Sequence, residues 1–168
     1  MNPRVSIIMG STSDLPVMKG AAEVLDSFEI PFEINALSAH RTPAEVEAFA
    51  KSAYGKGIRV IIAGAGMAAH LAGVIASMTT LPVIGVPIKA SLDGLDALLA
   101  MVQMPPGIPV ATVAIDGARN AGILAAQILA TDDVKLQQRL VKFKEELKEK
   151  IVKANQDLSL VEYKFRVK

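Results

Sequence analysis

Val5-Ser6-Ile7-Ile8-Met9-Gly10-Ser11-Thr12-Ser13-Asp14 is a β-branched apolar run that breaks into glycine and hydroxyls and ends on an acid. Its apolar residues do not alternate with polar ones as in a half-exposed strand, so the run reads as a strand covered on both faces. An Ala-rich segment of helical spacing follows over 14–28. The same unit recurs along the chain. Further strands are expected at 32–37, 59–63, 83–86 and 110–114, and further helices at 43–54, 68–78, 92–102 and 118–130. Strand–helix alternation implies right-handed crossovers and a parallel sheet with helices on both faces. The expected fold is therefore α/β: a flavodoxin-like three-layer α/β/α sandwich on a parallel five-stranded sheet of order 2-1-3-4-5. One catalytic domain is expected over 1–155, including a C-terminal helix over 132–155, with a tail over 156–168.

Local signals sharpen two helix starts. Thr42-Pro43-Ala44-Glu45 supplies an N-cap Thr, Pro at the first helical position and Glu for a capping box. Thr131-Asp132-Asp133 opens the final helix, where Leu136, Leu140, Phe143, Leu147 and Ile151 form one apolar seam on a charged rod. That spacing fits folding back on the same domain and docking on a neighbouring subunit equally well.

Composition narrows the function classes. The chain has 168 residues, the size of one domain, and 51% of them are hydrophobic. Its apolar stretches are broken by Gly, Pro, His, Arg or Asn before they reach the ~20 residues that span a bilayer. Strands buried on both faces and subunit contacts account for the excess, and no membrane partner is expected. With no cysteine, disulfides, thiolate nucleophiles and sulfur-ligated zinc are excluded. No basic-then-apolar leader precedes the first strand, so the cytoplasm is the expected compartment. A net charge of +1, 4% aromatics and no Trp argue against a nucleic-acid partner.

Ligands of open parallel sheets bind beyond the carboxyl ends of the strands, where strand order reverses. Here that point lies between the first and third strands, and three unusual loops converge on it. The first carries Ser11, Thr12, Ser13 and Asp14. Its helix start favours a phosphate and Asp14 suits a ribose diol. Helix capping would explain one of these residues but not all of them. A Walker loop is excluded, since the second Gly and the Lys are missing. The second loop, Ser38-Ala39-His40-Arg41, joins a side chain poised for proton transfer near neutral pH to a guanidinium fork for phosphate or carboxylate. The third, Gly64-Ala65-Gly66 through Ala69-His70-Leu71, mimics a dinucleotide fingerprint but sits outside the first βα unit and lacks a ribose-binding acid. Its small residues let backbone approach a ligand. His70 should fall a turn into the helix as a hydrogen-bonded imidazole with a secondary part in lining the pocket. No metal is expected, because two histidines thirty residues apart without clustered carboxylates make a poor ligand set. No GxSxG elbow is present.

Read together, Gly10-Ser11-Thr12-Ser13-Asp14, Ser38-Ala39-His40-Arg41-Thr42-Pro43, Ala63-Gly64-Ala65-Gly66, Gly85-Val86-Pro87 and Gln103-Met104-Pro105 through Pro109-Val110 resemble the phosphoribosylaminoimidazole carboxylase catalytic-subunit family. The form Ala68-Ala69-His70-Leu71 is similar to that of its bacterial N5-carboxyaminoimidazole ribonucleotide mutase branch. The resemblance implies a cofactor-free isomerase of purine biosynthesis. His40 would act as acid and then base while carbon dioxide leaves a nitrogen and returns to a ring carbon. Ser11, Ser13, Asp14, Ser38, Ala39, Arg41, Gly64, Ala65, Gly66, His70 and Leu71 would bind the ribonucleotide. The resemblance also implies a homo-octamer coupled to an ATP-dependent carboxyaminoimidazole ribonucleotide synthase. Met67 and Ala72 stand where the family commonly has Gly and Pro. Met67 adds bulk to the third loop, and Ala72 removes a rigid ring. The alternatives are direct carboxylation of aminoimidazole ribonucleotide and a non-catalytic nucleotide-binding module.

Overall fold

The computed structural model describes residues 2–167. Met1 and Lys168, the outer bounds of the expected domain and tail, lie outside the described residues. Five strands, β1 (Val5–Met9), β2 (Phe32–Ala36), β3 (Val60–Gly66), β4 (Val83–Ile88) and β5 (Ala111–Thr112), form one sheet in the order β2-β1-β3-β4-β5. Every pairing is parallel. This is the flavodoxin-like topology expected from the alternation of elements. β1 and β4 are buried along their whole length, Ser6 of β1 included, as in strands covered on both faces. β2 and β5 lie at the two edges and are the partly exposed strands among those described.

The helices are α1 (Leu15–Ser27), α2 (Pro43–Ser52), α3 (Leu71–Met78), α4 (Leu95–Val102), α5 (Ala118–Ala130) and α6 (Val134–Ser159). α2, α3 and α4 cover one face, where Val46, Phe49, Leu71, Ile75 and Met101 pack with Ile8, Ile61 and Val83 in a single core cluster. On the other face, Met18 of α1 lies against Gly64: a Cβ built there would fall 2.3 Å from the Met18 sulfur. α5 packs closely on α1, since a Cβ on Gly122 would stand 3.0 Å from the Ala21 carbonyl oxygen. Part of its surface is thus used within the fold.

Two boundary differences bear on the site. β3 runs on to Gly66 because Gly64, Ala65 and Gly66 pair with Val86, Pro87 and Ile88 of β4, and ladder bonds override the low strand preference of glycine. α3 correspondingly begins at Leu71, so His70 stands at its N-cap and not a turn inside it.

Packing divides the chain into two compact units, one ending at Leu129 and the other starting at Ala130. In the second, the Asp133 carboxylate accepts the Leu136 N–H at 3.1 Å and caps α6. The helix extends past residue 155 to Ser159, where the Leu160 N–H closes onto the Asp157 carbonyl. Its seam is divided: Leu136 and Leu140 are buried, whereas Leu147 and Ile151 are exposed. Among the described residues no helix is long and apolar enough to cross a membrane.

Candidate active site

The carboxyl ends of β1, β2, β3 and β4 open onto a cavity of about 480 Å³, within the range of small-molecule sites. Ser11, Ser13, Asp14, Ser38, Ala39, His40, Arg41, Ala65, Gly66 and Leu71 line it, which brings together ten of the twelve residues singled out from the sequence. The other two do not line it. Gly64 is buried in β3 over Met18. His70 does not line the cavity but bonds to a residue that does, His40.

The first loop is a short 3-10 turn over Thr12–Asp14, capped by the Ser11 hydroxyl accepting the Ser13 N–H at 3.3 Å. Asp14 occupies the N-cap position of α1 yet makes no side-chain cap bond. Its carboxylate is therefore free of the structural duty that most often explains such a residue. Burial pushes the Asp14 carboxyl above its ordinary value; the Ser11 amide, the Ser13 hydroxyl and the Arg41 charge oppose that rise only in part.

The second loop closes on itself. The Thr42 N–H donates to the Ser38 carbonyl at 2.8 Å. The Thr42 hydroxyl donates to the same carbonyl at 3.1 Å and accepts the Ser38 N–H at 2.9 Å. This corrects the expected capping box: Thr42 stands at the N-cap of α2 but makes no side-chain cap bond, because its oxygen is engaged backwards in the loop. The result is a five-residue turn that holds His40 and Arg41 at its apex. Arg41 then ties this loop to the first one, donating from Nη2 to the Gly10 carbonyl at 2.8 Å and from Nε to the Ser38 hydroxyl at 3.4 Å. Three of its five N–H donors are left for an anion.

The third loop brings the second histidine in. β1 and β3 are neighbours, so the chain leaving β3 passes the β2–α2 turn. His40 Nε2 and His70 Nδ1 lie 2.8 Å apart, with ring planes at 86°. One hydrogen lies between the two nitrogens, and either ring can be its donor depending on tautomer. His70 is thus a hydrogen-bonded imidazole, as its sequence context suggested, but an exposed one whose partner is the proposed acid–base group.

Gly10, Met67, Ala68 and Ala90 also line the cavity and were not anticipated as lining residues. Ala90 follows β4, and the rule that ligands sit beyond strand ends could have found it; its small apolar side chain gave no chemical signal. The Lys89 N–H, donating to the Asp116 carboxylate at 2.9 Å, fixes that loop. A Cβ on Gly66 would stand 3.0 Å from the Ile88 carbonyl oxygen and 3.1 Å from the Ala90 Cβ, so β3 approaches this loop closely enough that a side chain there would press on it.

Known proteins resemble this chain in sequence and in fold. The family model described as AIR carboxylase matches residues 4–150. The N5-carboxyaminoimidazole ribonucleotide mutase of Thermotoga maritima is 56% identical over 96% of this chain and 95% of its own. That of Pyrococcus abyssi is 58% identical over 87% of this chain and 84% of its own. A crystal structure of Treponema denticola PurE superposes with a TM-score of 0.83 at 30% identity, covering 93% of this chain and 98% of that one.

Proposed function

The chain belongs to the AIR carboxylase family, and from that premise we infer that it is an isomerase of purine biosynthesis that carries out the N5-carboxyaminoimidazole ribonucleotide mutase reaction. The substrate bears a carbamate on its exocyclic nitrogen; the product bears the carboxylate on C4 of the same imidazole. The observation that carries the reading is the position of His40. Its ring lines the same cavity as the hydroxyls and carboxylate of the β1–α1 loop and is hydrogen-bonded to His70.

In the proposed sequence His40 protonates the exocyclic nitrogen as the N–C bond breaks and carbon dioxide is released. The electron-rich C4 attacks that carbon dioxide to form the C–C bond. His40, now neutral, takes the C4 proton and restores aromaticity. One group serves as acid and then as base, so proton and electron pairs balance without a cofactor. Arg41, with the Ser11 and Ser13 hydroxyls and the start of α1, is suited to the phosphate. Asp14 is suited to the ribose diol, because a carboxylate accepts two hydrogen bonds. Ser38, Ala39, Ala65, Gly66 and Leu71 shape the wall around the ring, Gly64 seats β3 close beneath it, and His70 holds His40.

The family resemblance further supports a homo-octamer in the cytoplasm, working behind an ATP-dependent synthase that supplies the carbamate. Leu95, Leu99 and Val102 of α4 are each between 42% and 55% exposed and recur three or four residues apart, a stripe suited to subunit contact. Supplying purified protein with the carbamate, or with the amine and carbon dioxide, tests the function. The mutase reading expects the carbamate to react faster; equal or faster carboxylation of the amine would make the protein a direct carboxylase.

A further inference from the structure

Met67 leaves β3 with a left-handed backbone, φ 56°, a conformation in which glycine is the unstrained residue. The turn is tight. The His70 N–H donates to the Ala68 carbonyl at 2.8 Å, Ala69 is fully buried, and the chain re-emerges with His70 against His40. Nothing in that path calls for a side chain at position 67. The Met67 side chain does not fill the core either: it is 61% exposed, yet it lines the cavity. The wall around it is made of Ala65, Gly66, Ala68 and Ala90, with Leu71 the other large apolar group and buried. A single long, flexible thioether therefore stands at the mouth of a cleft whose other apolar walls are short or fixed.

We infer that Met67 is the closing apolar wall of this site, folding over the bound ribonucleotide and confining the released carbon dioxide against the substrate ring. The assignment rests on the mutase reading above. Carbon dioxide is uncharged and a weak acceptor, so neither the hydroxyls nor Arg41 can hold it. Confinement by apolar surface that keeps water out can. Alanine and glycine cannot reach across the cleft. Methionine can, because three rotatable bonds and a polarizable sulfur let it adapt to the ligand's shape. If carbon dioxide escapes between the two half-reactions, the amine departs unrecarboxylated. The proton placed on its nitrogen leaves with it and is replaced on His40 from solvent. Escape is therefore countable, as free amine per carboxylated product.

The experiment feeds the carbamate substrate to wild type, Met67→Gly and Met67→Leu and measures amine release against C-carboxylated product, with a melting curve for each. Met67→Gly relaxes the backbone and should melt no lower than wild type, while releasing roughly tenfold more amine per product, the scale on which one apolar contact discriminates in an enzyme site. Met67→Leu retains apolar bulk and should stay near the wild-type ratio. An unchanged ratio in Met67→Gly overturns the assignment while leaving the mutase intact. A wild type that forms no C-carboxylated product from the carbamate overturns the mutase reading and this assignment with it.

Discussion

His40 Nε2 and His70 Nδ1 stand 2.8 Å apart although thirty residues separate them, with their rings nearly perpendicular. Neither loop alone makes this contact. It depends on β1 and β3 being neighbours, on the closed Ser38–Thr42 turn, and on the left-handed backbone at Met67. The bond leaves the His40 ring one preferred orientation, which is what a group that must reach first a nitrogen and then a carbon requires.

His70 should therefore act through His40. His70→Phe keeps the ring shape but loses the bond, and kcat should fall about two- to tenfold, the kinetic equivalent of one hydrogen bond. His70→Asn places an amide near Nδ1 and should recover most of that loss. KM should move little in either. Steady-state kinetics of the two variants checks this, and a larger change in KM than in kcat would make His70 a binding residue.

Asp14 links stability to pH. Its carboxyl is raised by burial, so the folded chain keeps that proton to a higher pH than the unfolded chain does. The stability it contributes is complete below the unfolded carboxylate range and is lost as pH rises through the folded value. Asp14→Asn never ionises and escapes that loss. It should melt slightly above wild type at neutral pH, with the difference closing in acid, while KM for the ribonucleotide rises. Melting curves across pH measure the first effect and kinetics the second.

Arg41 joins two loops and offers a fork to phosphate. A lysine cannot reach the Gly10 carbonyl and the Ser38 hydroxyl while also meeting an anion. Arg41→Lys should raise KM about ten- to a hundredfold, the worth of a hydrogen bond to a charged group. The effect on kcat should be much smaller, which separates binding from proton transfer.

Gly64 supports the site from beneath. The methyl of Gly64→Ala would fall 2.3 Å from the sulfur of Met18, which is wholly buried and has little room to retreat. Overpacking of this kind costs about 1–3 kcal/mol. Calorimetry should show a lowered Tm, and Met18→Leu in the same chain should restore part of it, because the two positions share one space.

Much of this arrangement was legible in the sequence because its signals are local. β-branched runs gave the strands, their alternation with Ala-rich segments gave the parallel order, and the strand-end rule gathered Ser11, Asp14, Ser38 and Arg41 into one place. Where several groups compete for one atom, the local signal misled. Thr42 has the pattern of a capping residue, but Ser38 takes its hydroxyl. The end of β3 reads as a glycine loop until β4 is beside it. The imidazole pair was hidden for the same reason, since it is a consequence of strand order and of one strained residue, neither of which periodicity records.

The most direct measurement is made on His40→Asn, comparing turnover of the carbamate substrate with binding of the ribonucleotide by calorimetry. A proton shuttle predicts a kcat lower by about 10²–10⁴, as for a lost general acid–base group, with binding nearly unchanged. Turnover close to wild type would contradict it, since the hydrogen would then be reaching the ring carbon by another route.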